Sequence, residues 1–124
     1  RNVDDTSALV VVDRDADALA RLAATVGEDA RLDLQPGDVS DPSFLAPLMS
    51  AATVAVSAVN YWFNATLAAM AVSHRAHFLD LGGNNDIVAR EFELDDQARA
   101  AGVTIRTGAE VASIRYASFS RETR

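Results

Sequence analysis

Several residue types are missing from this chain of 124 residues, and each absence excludes a kind of chemistry. There is no cysteine, which excludes disulfides, thiolate catalysis and zinc sites with sulfur ligands. All 11 basic residues are arginine, so no lysine is available for a Schiff base or a phosphate-binding loop. No run of about 18 apolar residues occurs, so we expect no membrane partner. The first residues do not form a secretory signal, and together these absences predict a cytoplasmic location.

The charge balance is acidic, with 18 acids against 11 bases and a net charge of −7. A protein that binds duplex nucleic acid needs a basic face, so we expect no nucleic-acid partner. The length and the 49% share of hydrophobic residues predict one domain with a sizeable core. Because the chain begins with arginine instead of methionine, we expect a fragment or a processed chain.

Short apolar runs alternate with segments of helical periodicity along most of the chain. Leu9–Val12 and Thr53–Val59 are continuous apolar runs, which predict strands buried on both faces. Three further strands are predicted at Arg31–Gln35, Phe78–Leu81 and Val103–Ile105. This alternation predicts an α/β fold with a doubly wound parallel sheet. The last part, Thr107–Arg124, breaks the pattern and predicts a frayed tail or a short strand.

Capping residues mark where the helices begin. Asp15 is placed to cap the first helix, and Pro42 suits the first position of the second, with Ser40 or Asp41 as its cap. The spacing of apolar residues predicts one long helix from about Asp86 to Ala101.

Asp13 is the first candidate site residue, because it ends an apolar strand. One carboxylate can accept hydrogen bonds from both hydroxyls of a nucleotide ribose, and an acid at this position does so in dinucleotide-binding folds. Arg14 could stack on an adenine or neutralise a 2′-phosphate. The alternative is that Asp13 only caps the following helix.

Two further strand ends carry candidate residues. Asp38 could accept a hydrogen bond from the adenine amine while Val39 packs on the ring, although an ordinary strand-to-helix turn explains them as well. Small residues at the end of a central strand would let a ribose or nicotinamide approach the backbone, and the alternative is a well-packed strand. These residues are Ser57, Ala58, Val59 and Asn60.

An aromatic turn and a double glycine complete the set. Tyr61–Phe63 could form the wall of a pocket or anchor the next helix, with Asn64 as the cap of that helix. Gly82 and Gly83 follow a strand, where they would permit close approach of a ligand or simply form a turn. No cluster of metal-ligating residues stands out, so we expect no metal site.

Taken in order, these junctions resemble the saccharopine dehydrogenase family, whose members include saccharopine reductase and lysine 6-dehydrogenase. The resemblance covers about Leu9 to Ile105. The segments that carry it are Val-Val-Asp-Arg-Asp at 11–15, Gly-Asp-Val-Ser-Asp-Pro at 37–42, Val-Ser-Ala-Val-Asn-Tyr-Trp-Phe-Asn at 56–64 and His-Phe-Leu-Asp-Leu-Gly-Gly-Asn at 77–84.

The resemblance implies a Rossmann domain that binds NAD or NADP. It implies hydride transfer between the nicotinamide and a carbon–nitrogen bond of an amino acid of the lysine pathway or a similar molecule. It also implies a role for each candidate residue: Asp13 and Arg14 at the adenosine ribose, Asp38 and Val39 at adenine, Ser57, Ala58, Val59 and Asn60 along the nicotinamide-side ribose, and Gly82 and Gly83 near the active cleft.

The sequence departs from the family pattern in three places. The first strand and its glycine-rich loop are missing, Asn60 stands where the family usually has proline, and the family's continuation after Ile105 is not recognisable. We therefore expect a partial NAD(P)-binding domain over residues 1–106 and a divergent tail over 107–124.

The missing first strand has two expected consequences. It would leave open edges on the strands at Leu9–Val12 and Thr53–Val59, which invite pairing in a homodimer. It would also remove the backbone donors for the pyrophosphate, so we expect this chain alone to bind NAD(P) weakly or not at all and to be inactive.

Two other interpretations remain open. A fragment of a short-chain dehydrogenase would also fit Asp38 and Val39, but it should have an Asn-Asn-Ala-Gly-like turn and a Tyr-x-x-x-Lys motif, and neither is present. A non-catalytic interaction or regulatory module derived from half of a Rossmann domain fits the open edges.

Overall fold

A computed structural model describes residues 8–108. The terminal segments that we expected to fray, residues 1–7 and the part of the tail after 108, lie outside the described residues. The chain divides into two compact units, of which the first ends at Leu45 and the second begins at Ala46. The elements are β1 (Leu9–Asp13), α1 (Ala16–Val26), β2 (Leu32–Pro36), α2 (Pro42–Ala51), β3 (Val54–Ser57), a 3₁₀ turn (Tyr61–Phe63), α3 (Asn64–Ser73), β4 (His77–Asp80), α4 (Asn85–Phe92), α5 (Asp95–Ala101) and β5 (Ile105–Arg106).

All strand pairs are parallel, which confirms the α/β class with interleaved helices. In the first unit β1 pairs with β2, and Asp13 lies opposite Pro36. In the second unit the order is β3-β4-β5, and Ser57 lies opposite Asp80. Within residues 8–108, β1 pairs only with β2 and β3 only with β4, so each has one unpaired edge in this range.

The apolar runs predicted to be buried on both faces are exposed or half-buried apart from Ser57, so that expectation was wrong. Leu9 is 56% exposed, Val54 51% and Val56 62%. Because β1 and β3 each have a single neighbouring strand among the described residues, neither is a central strand. Along β3 the exposed valines alternate with half-buried Ala55 and buried Ser57, as expected for a strand covered on one face only.

The core of the second unit is centred on α3. This helix buries Leu67, Ala68, Ala71 and Val72 and contacts β4, α4 and α5. Phe78 of β4 is 2% exposed, and Ala98 of α5 is 5% exposed. The core of the second unit is therefore built mainly from one alanine-rich helix and one strand. The short alanine side chains let the helix and the strand approach each other closely.

The starts of α1 and α2 follow the predicted capping chemistry. Asp15 caps α1, since its Oδ1 accepts the N–H groups of Asp17 at 2.9 Å and Ala18 at 3.3 Å. Asp41, and not Ser40, caps α2, because its Oδ1 accepts the N–H of Ser43 at 3.1 Å. None of the helices within residues 8–108 is long and apolar enough to cross a bilayer.

The single long helix predicted over residues 86–101 is wrong, because the structure has two helices there. The Glu93 N–H is shared between the carbonyls of Ala89 and Arg90, and the Leu94 N–H bonds to the Glu91 carbonyl at 3.0 Å. This change from i−4 to i−3 partners tightens the chain and ends α4. The apolar spacing continues through the break, which is why the periodicity did not reveal it.

We predict that Phe78→Ala lowers the free energy of unfolding by about 3 kcal/mol, because it removes a buried ring from the contact of β4 with α3. Phe92→Ala is the matched control: this ring is 69% exposed, and its removal should cost less than about 1 kcal/mol. Urea denaturation followed by circular dichroism measures both changes. Equal losses for the two variants would contradict the assigned core.

Candidate functional site

The first unit brings the ends of β1 and β2 to one edge. The strands are parallel neighbours, and the Gly37 N–H donates to the Asp13 carbonyl at 3.0 Å just beyond the last residue of β2. Asp13 and Asp38 therefore leave the sheet at the same edge. The predicted residues Asp13, Arg14, Asp38 and Val39 are brought together there, at the carboxyl ends of the strands where α/β folds bind ligands.

Asp13 is exposed and does not cap α1, since Asp15 has that role. Oδ1 of Asp13 accepts the N–H of Asp15 at 2.9 Å, which forms the turn into the helix. Among the described residues, its Oδ2 accepts no hydrogen bond. The carboxylate is thus oriented by one oxygen while the other remains accessible to hydroxyl donors.

Asp38 is held as a carboxylate by its own turn. Its Oδ1 accepts the backbone N–H of Ser40 at 2.8 Å and the hydroxyl of Ser40 at 2.7 Å. These bonds, with a smaller contribution from the Arg14 charge, hold the pKa of Asp38 below its ordinary value. The edge therefore carries two carboxylates near a single guanidinium, while Val39 is half-buried.

In the second unit, Ser57 at the end of β3 is tied to the protein. Its Oγ donates to Oδ1 of Asn64 at 2.7 Å, and both side chains are buried. Asn64 is the first residue of α3 and does not cap it, so that prediction was wrong. The structural reason is the bond to Ser57, which takes the side-chain oxygen away from the helix N–H groups.

The residues that follow Ser57 are accessible. Ala58, Val59 and Asn60 are exposed, and Asn60 begins the 3₁₀ turn by accepting the Phe63 N–H at 3.1 Å. The four small or polar residues predicted at this strand end thus separate into a buried serine and an exposed strip.

The rings of the aromatic turn differ in their exposure. Phe63 is half-buried, while Tyr61 is 38% exposed and Trp62 is 56% exposed. The rings of Tyr61 and Trp62 meet edge to face, with centroids 5.6 Å apart. Tyr61 also lies against Gly83, where an added Cβ would be 3.0 Å from the Tyr61 Cβ. Tyr61 therefore links the turns after β3 and β4.

At Gly82 and Gly83 a side chain would collide with other parts of the same chain. Gly82 has φ +78°, and an added Cβ would lie 2.6 Å from the Cα of Gly108. Gly83 has φ +132° and approaches Tyr61. The absence of side chains thus brings together the segments that follow β3, β4 and β5.

A buried acid pair lies beneath this turn and was not found from the sequence. Oδ1 of Asp80 accepts the N–H groups of Gly82 at 2.7 Å and Gly108 at 3.0 Å. Glu91 of α4 is only 2% exposed. Burial, together with the neighbouring carboxyl group of Asp80, raises the pKa of Glu91 to about 8. Asp80 could have been suspected as a polar residue ending an apolar strand, whereas nothing in the spacing singles out Glu91 from the exposed acids of its helix.

Comparison with known families gives a match over most of the chain. The family model described as "Saccharopine dehydrogenase NADP binding domain" matches residues 1–105. The matched range includes every candidate residue predicted from the sequence, at the edges of both units.

We predict that Gly82→Ala is more destabilising than Gly102→Ala. Both glycines have positive φ, +78° and +72°, but only Gly82 has a neighbour where the Cβ would stand. Alanine at Gly102 should cost about 1 kcal/mol of backbone strain. Alanine at Gly82 should cost about 1–3 kcal/mol more, because the Gly108 backbone must move. Urea denaturation measures the difference, and equal costs would contradict the close approach of the two segments.

Proposed function

Because the chain belongs to the saccharopine dehydrogenase NADP-binding domain family, we propose that it binds a nicotinamide dinucleotide through residues at the carboxyl ends of its strands. The edge of the first unit binds the adenosine end, and the edge of the second unit binds the nicotinamide end. The family match over residues 1–105 is the observation that carries this proposal. The geometry supports it, because the candidate residues of each unit lie at the carboxyl ends of parallel strands.

The adenosine end fits the side chains at the first edge. The accessible Oδ2 of Asp13 is suited to the vicinal hydroxyls of a ribose, and Asp38 with Val39 is suited to adenine. Two carboxylates beside the single cation Arg14 repel an additional phosphate. We therefore infer a preference for NAD(H) over NADP(H) in this chain, with Arg14 stacking on the adenine.

The nicotinamide end fits the second edge. The exposed strip at Ala58–Asn60 lets a ribose approach the backbone, and the ring of Trp62 offers an exposed apolar surface beside it. When bound, the nicotinamide supplies the hydride. We propose that the substrate is a small amino-acid-like molecule oxidised or reduced at a carbon–nitrogen bond.

The pyrophosphate lacks its usual partners within these 124 residues. The six glycines form no Gly-x-Gly-x-x-Gly run, and there is no lysine. We infer that this chain, assayed by itself, binds the dinucleotide weakly and does not catalyse hydride transfer.

We predict that titration of the chain with NADH, followed by nicotinamide fluorescence, gives a Kd no tighter than about 100 μM, and that NADPH binds roughly tenfold more weakly. Asp13→Asn should reduce this discrimination, because it removes the charge that repels the 2′-phosphate. Asp33→Asn is the control, since Asp33 is an exposed acid of β2 that lies opposite Val10, away from the strand ends.

Two results would contradict these assignments. Low-micromolar binding of NADH by the chain alone would show that the pyrophosphate is held after all. A preference for NADPH that Asp13→Asn leaves unchanged would exclude Asp13 as the residue that reads the ribose.

The unpaired edges support a second candidate function, a module that associates with a second copy of itself. Within residues 8–108, β1 and β3 each have one unpaired edge, and the apolar side chains of Leu9 and Val56 are exposed. Open, apolar strand edges readily pair with another chain. This candidate does not require dinucleotide binding.

We predict a homodimer in light scattering of the chain at about 100 μM, and its dissociation by Val56→Lys, because a charge on an edge strand opposes pairing. Val26→Lys is the control, since Val26 is 51% exposed at the end of α1. A wild-type chain that is monomeric at this concentration would exclude the module that pairs with itself.

A further inference from the structure

The carboxyl groups of Asp80 and Glu91 form a buried pair with too few donors. Asp80 is 0% exposed at the end of β4, and Glu91 is 2% exposed in α4. Oδ1 of Asp80 accepts two backbone N–H groups, from Gly82 and Gly108. Among the described residues, Oδ2 of Asp80 and both carboxyl oxygens of Glu91 have no hydrogen-bond partner. Three buried carboxyl oxygens are therefore unsatisfied as long as both acids are ionised.

Two ionised carboxylates cannot satisfy one another. Each is an acceptor only, their charges repel, and burial removes the water that would otherwise solvate them. A proton on one of them resolves the conflict, because the protonated acid becomes a donor to the other. Oδ1 of Asp80 is already committed to two N–H donors, which favours keeping the charge on Asp80 and the proton on Glu91.

We propose that Asp80 and Glu91 share one proton, and that this bridged pair positions the Gly82–Gly83 turn and the Gly108 segment at the edge of the second unit. Glu91 donates to Oδ2 of Asp80, and this bond orients Oδ1 of Asp80 toward the N–H groups of Gly82 and Gly108. Asp80 and Glu91 are positioning residues in this role. The importance of this pair for a bound nicotinamide rests on the proposed function. The shared proton and the position of the two segments are independent of that function.

The groups around Glu91 leave Asp80 as its dominant charged neighbour. Burial, together with the neighbouring carboxyl group of Asp80, raises the pKa of Glu91 from 4.5 to about 8, and the proximity of Thr107 opposes this shift. From α5, Asp95 and Arg99 line the same cavity of about 260 Å³ as Glu91, but they are paired with each other at 2.9 Å. The helix α3, which packs on α4, has no charged residue.

The sign of the pH dependence follows from the proton. Between the ordinary value of 4.5 and about 8, the folded chain holds a proton on Glu91 that the unfolded chain has lost. The stabilisation by this proton is complete below pH 4.5 and is lost as the pH rises through about 8. The Gly82 turn and the Gly108 segment should therefore be held most firmly at neutral pH and below, and loosen in mild alkali.

Carboxyl-carbon NMR of the full chain, without any ligand, tests the shared proton directly. We expect the Cδ resonance of Glu91 to titrate with a midpoint near 8, and the amide resonances of Gly82 and Gly108 to move with the same midpoint. A Glu91 resonance that titrates near the ordinary value of 4.5 would overturn the proposal.

The variant Glu91→Gln tests whether Glu91 positions the Gly82 and Gly108 segments or is merely buried beside them. The glutamine amide can donate to Oδ2 of Asp80 at any pH, so the Gly82 and Gly108 amides should keep their wild-type positions and lose the alkaline titration. Glu93→Gln is the matched control and should titrate as the wild type does. If the Gly82 and Gly108 amides still titrate near 8 in Glu91→Gln, or never titrate in the wild type, Glu91 does not position these segments. Because no dinucleotide is added, either result is independent of whether the chain binds one.

Discussion

The carboxylate of Asp80 is the constraint on which the second unit's strand-end edge depends. One buried oxygen accepts two backbone N–H groups, from the turn after β4 and from the segment after β5. The turn after β4 also packs against Tyr61, which follows β3. Three separate connections are thus fixed relative to one another by one acid and by two glycines that leave room for their neighbours. In parallel α/β folds ligands bind at this edge, so a structural acid shapes the candidate site.

The elements that local chemistry dictates could be predicted from the sequence. Asp15 caps α1 because a short acid before a helix satisfies the first N–H groups, and this depends on no distant residue. The parallel α/β class followed from the alternation of apolar runs with helical segments. The clustering of Asp13 with Asp38 followed from the geometry of neighbouring parallel strands.

The features that depend on distant partners could not be predicted in the same way. Asn64 looked like a helix cap, but its oxygen is bonded to Ser57, and only the packing of α3 against β3 brings these two together. Glu91 is one of several acids on an acidic chain, and its burial appears only in the folded structure, where α4 contacts α3. The exposure of Val54 and Val56 was missed for a related reason, because apolar runs reveal the tendency to form strands but not how many neighbours each strand has.

The two edges differ in how a ligand would meet them. The first presents charged, exposed side chains suited to the hydroxyls and the base of a nucleoside, whereas the second presents small exposed residues and an indole ring. The central claim is that the first edge recognises the adenosine part of a nicotinamide dinucleotide and that the second recognises the nicotinamide part. Amide chemical-shift mapping with NADH and with adenosine monophosphate tests it most directly. The account predicts that the monophosphate perturbs only Asp13–Arg14 and Asp38–Val39, and that NADH also perturbs Ala58–Asn60 and Gly82–Gly83. Shifts with NADH that leave both strand-end edges unaffected would contradict it.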